Sequence, residues 1–222
     1  YGNGEPFIED ELKELANNFE TITVIISNPK SLHDKIFKYY VPSNVKIIVY
    51  SPINDLSSKL SALKYIFSSG ILSEEFAIIK KNYKLPLSFA LVRLLISYIV
   101  QGLKFSKFLD KLINRDNTQK NNIYFYSYWF TYYTYGIALL KQKYPSIKTI
   151  SRIHGWDLYM SRHNPPYLPF RKFIISTLDR LFPISYDGKK YLQTILPDID
   201  ETKIKISYLG TLGHNNIAAL EK

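Results

Sequence analysis

A chain of 222 residues with 46% hydrophobic side chains can bury a sizeable core, as one large domain or two small ones. It has no cysteine, which excludes disulfides and thiolate metal sites and fits a reducing compartment. The formal net charge of +10 indicates anionic partners, such as nucleotide phosphates, an acidic membrane surface or nucleic acid.

The chain opens on a glycine-rich turn containing Gly2, Gly4 and Glu5, which runs into a predicted helix over 7–19. Free amides at such a helix start favour an anion. The third glycine of the dinucleotide fingerprint is missing, however, and Pro6 interrupts the motif. Taken alone, this turn predicts an ordinary loop more readily than a phosphate site.

Short apolar runs that alternate with helical patterns occupy the rest of the chain. The predicted strands are 22–27, 45–50, 123–128, 147–153, 180–184 and 204–209. The predicted helices are 56–81 with a break near Gly70, 85–115, 132–143, 170–178 and 187–196. This alternation predicts a doubly wound, Rossmann-like α/β domain, with a mostly parallel sheet buried between helices on both faces.

The helix predicted over 85–115 is unusually apolar. A membrane span needs about 20 apolar residues, and the apolar run here is shorter and carries Arg93, so we predict no span. The second half of the helix places cations on one face and apolar side chains on the other: Lys104, Lys107, Lys111 and Arg115 against Phe105, Phe108, Leu109 and Leu112. Two interpretations stay open, a helix lying on an anionic bilayer surface and a core helix with a solvated basic end.

The segment 151–159, Ser-Arg-Ile-His-Gly-Trp-Asp-Leu-Tyr, is where we expect the chemistry. It places His154 just past the carboxyl end of a strand, where open α/β sheets bind ligands. Gly155 can adopt a positive φ and turn the chain, and Asp157 can bind backbone amides or cap the next element. The alternative is a structural histidine that is hydrogen-bonded in a turn. Farther on, Ser185 is predicted to cap the helix over 187–196.

Five segments, 2–11, 126–129, 152–159, 182–188 and 205–210, occur in an order that resembles one family. They resemble the N-terminal domain of retaining family 4 glycosyltransferases with the GT-B fold, especially bacterial enzymes that build surface polysaccharides such as capsule or lipopolysaccharide. The resemblance covers nearly the whole chain. Its most specific part is His154-Gly155-x-Asp157, followed by the Phe-Pro-Ile-Ser strand.

The resemblance implies an acceptor-side domain over 1–210 that lacks its first strand, and the start of an interdomain linker over 211–222. A C-terminal donor domain would lie outside this sequence, so the fragment alone is expected to be inactive. The implied reaction moves a sugar, expected to be of the hexosyl type, from a nucleotide-diphosphate sugar to a glycan or polyprenyl-linked acceptor with retention of configuration. The implied place of work is the cytoplasm, at the inner face of the cell membrane.

The resemblance also implies roles for individual residues. His154 and Asp157 would be catalytic, Gly2, Gly4 and Glu5 would face the donor, and Trp129, Arg152, Gly155 and Ser185 would line the acceptor side or the cleft. No cofactor or metal is expected, because His154, Asp157 and His163 form no familiar ligand spacing.

Two other classes of protein compete with a glycosyltransferase. A non-enzymatic basic domain could bind nucleic acid or a protein partner, but the sequence has no reading motif, so nucleic acid is not expected. Another nucleotide-using Rossmann-like enzyme, such as an epimerase or dehydrogenase, is disfavoured by the incomplete glycine fingerprint.

Overall fold

The computed structural model describes residues 6–27, 41–52, 56–115 and 120–210. The chain divides into two compact units, one formed by Tyr1–Ser51 with Leu209–Lys222 and the other by Pro52–Tyr208. The fold is of the α/β class, as predicted, with parallel sheets of two and three strands. The sequence pattern predicted one sheet, whereas the described strands pair into two.

The smaller unit contains helix α1 (Pro6–Asn18) and the parallel strands β1 (Ile22–Ile26) and β2 (Val45–Val49). The Asn44 side chain donates to the carbonyls of Ala16 and Phe19, each at 2.8 Å, which satisfies acceptors at the end of α1. Every residue of β1 and β2 is at least partly exposed, so the expectation of strands buried on both faces is wrong here.

The predicted donor-facing residues Gly2, Gly4 and Glu5 lie outside the described residues. The same is true of the predicted linker over 211–222. The roles given to both segments therefore stay predictions.

The larger unit begins with helices α2 (Leu56–Ser69) and α3 (Ile71–Ile78), and α3 continues as a π-helical turn over Ile79–Tyr83. Gly70 separates them with a φ of 67°, a left-handed conformation that glycine adopts without steric cost. The predicted break near Gly70 is confirmed.

Helix α4 spans Phe89–Arg115 and starts four residues later than the pattern predicted. Pro86 lacks an N–H and disfavours helical geometry at the residue before it. The hydroxyl of Ser88 then accepts from the Leu91 amide at 3.2 Å, close to the helix start. Pro86 and the Ser88 cap thus set the start of the helix, and the spacing of apolar residues gives no sign of either.

Helix α5 (Tyr132–Lys143) packs along α4, and two glycines allow the backbones to approach closely. A Cβ on Gly136 would lie 2.7 Å from the carbonyl oxygen of Gly102. A Cβ on Gly102 would lie 2.3 Å from the ring of Tyr135. Side chains larger than hydrogen are therefore excluded at this crossing unless the helices separate.

Three parallel strands form the sheet of the larger unit in chain order: β3 (Tyr124–Ser127), β4 (Lys148–Ile153) and β5 (Arg180–Pro183). Helix α5 connects β3 to β4. The short helix α6 (Gly155–Leu158) and helix α7 (Arg171–Thr177) lie between β4 and β5, and α8 (Tyr186–Ile195) comes after β5. A sixth full strand over 204–209 was predicted, but only Ile204 bridges to Leu181, with Lys205 and Ser207 donating to β5 carbonyls.

By length and composition alone α4 could cross a membrane, since it has 27 residues and contains an 18-residue window of mean hydropathy 1.4 that is 33% buried. The expectation that it does not span stays a prediction. A core helix passes the same test, and α4 buries one continuous face, formed by Leu91, Leu95, Tyr98, Ile99, Gly102, Phe105, Leu109 and Ile113. Phe105 is 6% exposed, and its ring lies 4.8 Å from that of Tyr133. The interpretation that counts Phe105 among side chains facing a bilayer surface is therefore wrong for this residue. Lys107, Lys111 and Arg115 are exposed.

Candidate functional site at the carboxyl end of the larger sheet

His154 directly follows the last residue of β4 and is 6% exposed. Its ring lies against two aromatic rings that come after β3, Tyr128 at 4.8 Å and Trp129 at 4.3 Å between centroids. Because β3 and β4 are parallel neighbours, their carboxyl ends meet at one edge of the sheet. The structure therefore brings together Trp129 and His154, two of the residues selected from the sequence.

Both ring nitrogens of His154 are buried without a hydrogen-bond partner among the described residues. The nearest carboxylate is that of Asp157, whose Oδ2 lies 4.0 Å from Nδ1. Leaving a buried polar group unpaired costs about 1–3 kcal/mol, and native proteins contain few such groups. His154 is also the N-cap residue of α6, within a capping box with Asp157, so the alternative of a structural histidine stays a prediction beside the functional one.

Asp157 is 2% exposed and binds two backbone amides. Its Oδ1 accepts from the His154 N–H at 2.6 Å, and its Oδ2 accepts from the Phe130 N–H at 2.5 Å. The first bond caps α6, and the second joins the loop after β4 to the loop after β3. The prediction that Asp157 binds backbone amides is confirmed, and through them it holds the loop that carries His154.

Gly155 does not turn the chain by a positive φ, because it is the first residue of α6 and Gly70 is the described glycine in that conformation. That prediction is wrong, but space is limited at this position. A Cβ on Gly155 would lie 3.0 Å from Nη1 of Arg162. A larger residue would therefore push against the Arg162 side chain.

Ser185 and Arg152 have structural partners. The Ser185 hydroxyl accepts from the Gly188 amide at 3.0 Å, which confirms the predicted cap of α8. Arg152 is 9% exposed and donates to the Tyr126 hydroxyl and the Ser207 carbonyl, both at 2.8 Å, which ties β4 to β3 and to the segment after α8 that runs beside β5. Their assignment to a cleft stays a prediction.

Sequence reasoning missed three residues that support this edge: Glu75, Phe130 and Arg171. Arg171 is 3% exposed, and its guanidinium donates to the carbonyls of Phe130 and Asp157. Burial lowers the pKa of Arg171 from its usual range. The only available signal was an arginine near the start of a predicted helix, which is also common on protein surfaces.

Glu75 is 3% exposed and accepts from the Tyr167 hydroxyl at 2.7 Å and from the Phe170 amide. Burial raises the pKa of the Glu75 carboxyl, and the two hydrogen bonds and the charge of Arg171 oppose that shift only in part. The sequence offered a faint signal, a pair of glutamates inside an otherwise apolar helical segment.

Among residues 6–27, 41–52, 56–115 and 120–210, no group of three or more His, Asp or Glu side chains could hold a metal ion. The expectation of metal-free chemistry stays a prediction, since it concerns the whole reaction centre. No protein-family model matches the chain, and no curated protein matches it. Inferences about function therefore rest on the sequence resemblance and on the geometry of this edge.

Proposed function

We propose that this chain is the acceptor-side, Rossmann-like half of a retaining glycosyltransferase with the GT-B architecture. Three features support the proposal: the parallel α/β sheet of the larger unit, the sequence resemblance, and an imidazole at the carboxyl end of β4. In this proposal a second, donor-binding domain covers that edge and brings the nucleotide-sugar to His154.

The observation that carries the proposal is the ring of His154, whose two nitrogens have no hydrogen-bond partner within the described residues. A buried imidazole with two unused nitrogens is prepared to bond a group that arrives from outside the chain. In sugar transfer that group is the donor sugar beside its diphosphate. Hydrogen-bond donors that point at the negative charge developing in the transition state lower the barrier most when they are already in place.

The proposed step is a front-face substitution. The acceptor hydroxyl oxygen bonds to the anomeric carbon on the side from which the leaving group departs. The bond between that carbon and the diphosphate oxygen breaks, and its electron pair leaves with the nucleoside diphosphate. The acceptor proton passes to a phosphate oxygen of the departing diphosphate. Because the new bond forms on the face that the leaving group vacates, the configuration at the anomeric carbon is retained. Aromatic faces such as Trp129 offer a surface for the apolar side of a sugar ring.

We further propose that the protein works at the inner face of the cell membrane. The exposed face of α4 carries Lys107, Lys111 and Arg115 within about 12 Å of helix length. Each cation near an anionic lipid surface contributes about 1 kcal/mol. Binding of the chain to anionic vesicles, but not to neutral ones, is the expected result. It should weaken when these three residues are changed to Glu. Preferential binding to oligonucleotides would instead favour the non-enzymatic basic domain.

The test of the catalytic proposal replaces His154 with Phe in the full-length protein. Phe keeps a ring between Tyr128 and Trp129 but removes both nitrogens, and we expect transfer of sugar to fall by at least about 100-fold. His163→Phe is the matched control, because His163 already uses Nε2 on the Trp156 carbonyl at 2.7 Å. Wild-type rates in both variants would remove His154 from the reaction.

A further inference from the structure

Arg171, the first residue of α7, joins the two loops that meet at the carboxyl edge of the sheet. Its Nη1 donates to the Phe130 carbonyl at 3.0 Å, and its Nη2 donates to the Asp157 carbonyl at 2.5 Å. The guanidinium also lies over the Phe130 ring, 4.3 Å from its centroid. One planar fork therefore fixes the distance between the loop after β3 and the loop after β4.

Asp157 joins the same two loops, but as an acceptor of hydrogen bonds where Arg171 is a donor. Its carboxylate accepts from the Phe130 N–H, while the Phe130 carbonyl accepts from Arg171. Phe130 is thus held through both its backbone N–H and its backbone carbonyl. The second oxygen of Asp157 holds the His154 amide, so the hydrogen bonds run without interruption from Arg171 to His154.

Helix α3 supports Arg171 from behind. Glu75 accepts from the Phe170 amide and from the Tyr167 hydroxyl, which fixes the stretch of chain before α7. Phe170 has a φ of 57°, a left-handed conformation that is costly for a bulky residue. Such a conformation persists where the surroundings determine it, and functional sites are where strain of this kind collects.

A buried guanidinium is a costly group with which to fill a core. Hydrophobic residues of similar volume are often as stable or more stable at such positions. Here the guanidinium donates to two backbone carbonyls, one in the loop after β3 and one in the loop that carries His154, and an aliphatic side chain cannot form these bonds. We propose that Arg171 is a positioning residue for His154, acting through Asp157 and Phe130, with Glu75 holding it in place. The inference rests on the proposed function of His154.

The experiment compares Arg171→Met and Arg171→Lys with Lys141→Met in the full-length protein. Lys141 is the matched control, since it is also a cation that donates to a backbone carbonyl, that of Ile147, but at the opposite end of the sheet. Its second partner is the Asp179 carboxylate. Two quantities are measured on fully folded samples: kcat and KM for sugar transfer, and the amide NMR signals of Phe130 and His154.

Arg171→Met is expected to lower kcat at least about 10-fold with KM for the donor changed less than about 3-fold, because the imidazole is present but displaced. The kcat of Arg171→Lys should lie between those of wild type and Arg171→Met, since one ammonium reaches one carbonyl at a time. Both variants should shift the two amide signals, and Lys141→Met should move neither those signals nor kcat.

Unchanged kcat in both Arg171 variants, or amide signals that stay in place, would overturn the positioning role. If Arg171→Met does not fold, Arg171→Lys decides the question by the same two measurements. A wild-type protein without sugar transfer would overturn the proposed function instead. The amide signals would then still report whether Arg171 organises the loop.

Discussion

The two ends of the β3–β4–β5 sheet carry similar chemistry with opposite outcomes. At the amino end, Asp179 accepts from Thr149, through its amide at 2.7 Å and its hydroxyl at 3.0 Å, and from the Lys141 ammonium at 2.9 Å. At the carboxyl end, Asp157 and Arg171 bind backbone groups of the two neighbouring loops. Only the carboxyl end adds His154, whose ring nitrogens have no partner in the described part of the chain.

This difference distinguishes a cluster that only supports the fold from one that also holds the residue proposed to be functional. The Asp179 cluster closes on itself, so its whole effect is to join β4, β5 and α5. The Asp157 cluster binds backbone groups in the same way but also holds an unsatisfied imidazole at its centre. A cluster that only stabilised the fold would gain by replacing that imidazole with an apolar ring. Four substitutions test the distinction, in order of decreasing effect on stability.

Asp157→Ala should have the largest effect, because it leaves the buried amides of His154 and Phe130 without acceptors. We expect the free energy of unfolding to fall by about 2–5 kcal/mol. Urea denaturation followed by circular dichroism measures the loss. A decrease smaller than about 1 kcal/mol would mean that water replaces the carboxylate and that the cluster is less enclosed than its burial indicates.

Asp179→Asn should cost about 1–2 kcal/mol at neutral pH, less than Asp157→Ala, because the Asp179 side chain is 34% exposed. Burial opposes the ionised form, but hydrogen bonds from Lys141 and Thr149 outweigh it, so the pKa of Asp179 lies below 3.8. A lowered pKa means that stabilisation is present above pH 3.8 and is lost as the pH falls through the folded-state value. The difference between wild type and variant should therefore close under acid; a constant difference would contradict the ion pair.

Glu75→Gln changes the pH dependence of stability and keeps an acceptor for Tyr167 and Phe170. Burial raises the pKa of Glu75 above 4.5, so the folded state retains its proton while the unfolded state loses it. Wild-type stability should therefore decline as the pH rises above 4.5, until Glu75 ionises in the folded state. The Gln variant should lack this decline, and urea denaturation at a series of pH values above 4.5 measures the difference.

Glu74→Gln is the control, since Glu74 neighbours Glu75 in sequence but is exposed. It should show the wild-type pH dependence. If the decline persisted in Glu75→Gln and disappeared in Glu74→Gln, Glu75 would not be the carboxyl that causes it.

His154→Phe should have the smallest effect on stability. Because the ring nitrogens bond nothing in the described chain, Phe should leave the free energy of unfolding unchanged or raise it by about 1 kcal/mol. Thermal and urea unfolding measure this directly. A loss above about 2 kcal/mol would show that His154 belongs to the supporting structure, and the contrast between the two ends of the sheet would disappear.

Local patterns predicted the elements well where one feature decides them. Helix α5 has the predicted bounds, Ser185 caps α8, and the three strands of the larger sheet fall within one or two residues of prediction. Proximity of Trp129 to His154 resulted from the parallel order of β3 and β4. Each of these depends on neighbours in sequence or on a general rule of parallel sheets.

The remaining features depend on partners far along the chain. Glu75 binds an amide 95 residues away, and Arg171 binds a carbonyl 41 residues away, so no local pattern reports either bond. Phe105 has the spacing of a membrane-facing residue, but its burial is decided by α5. The supporting residues Glu75 and Arg171 are thus recognised only from tertiary contacts, whereas the sequence pattern indicated His154, the residue that they support.

The glycine crossing of α4 and α5 has a mechanical consequence for any attachment through α4. Gly102 faces α5, whereas Lys107 and Lys111 are exposed, so the lysines proposed to meet a membrane and the close contact with α5 lie on different faces of α4. Because α4 and α5 pack this closely at Gly102 and Gly136, neither helix can rotate or slide without steric overlap with the other. A lipid surface that holds the exposed cations would therefore set the tilt of α5 and of the strands it flanks, and with them the direction in which the His154 edge opens.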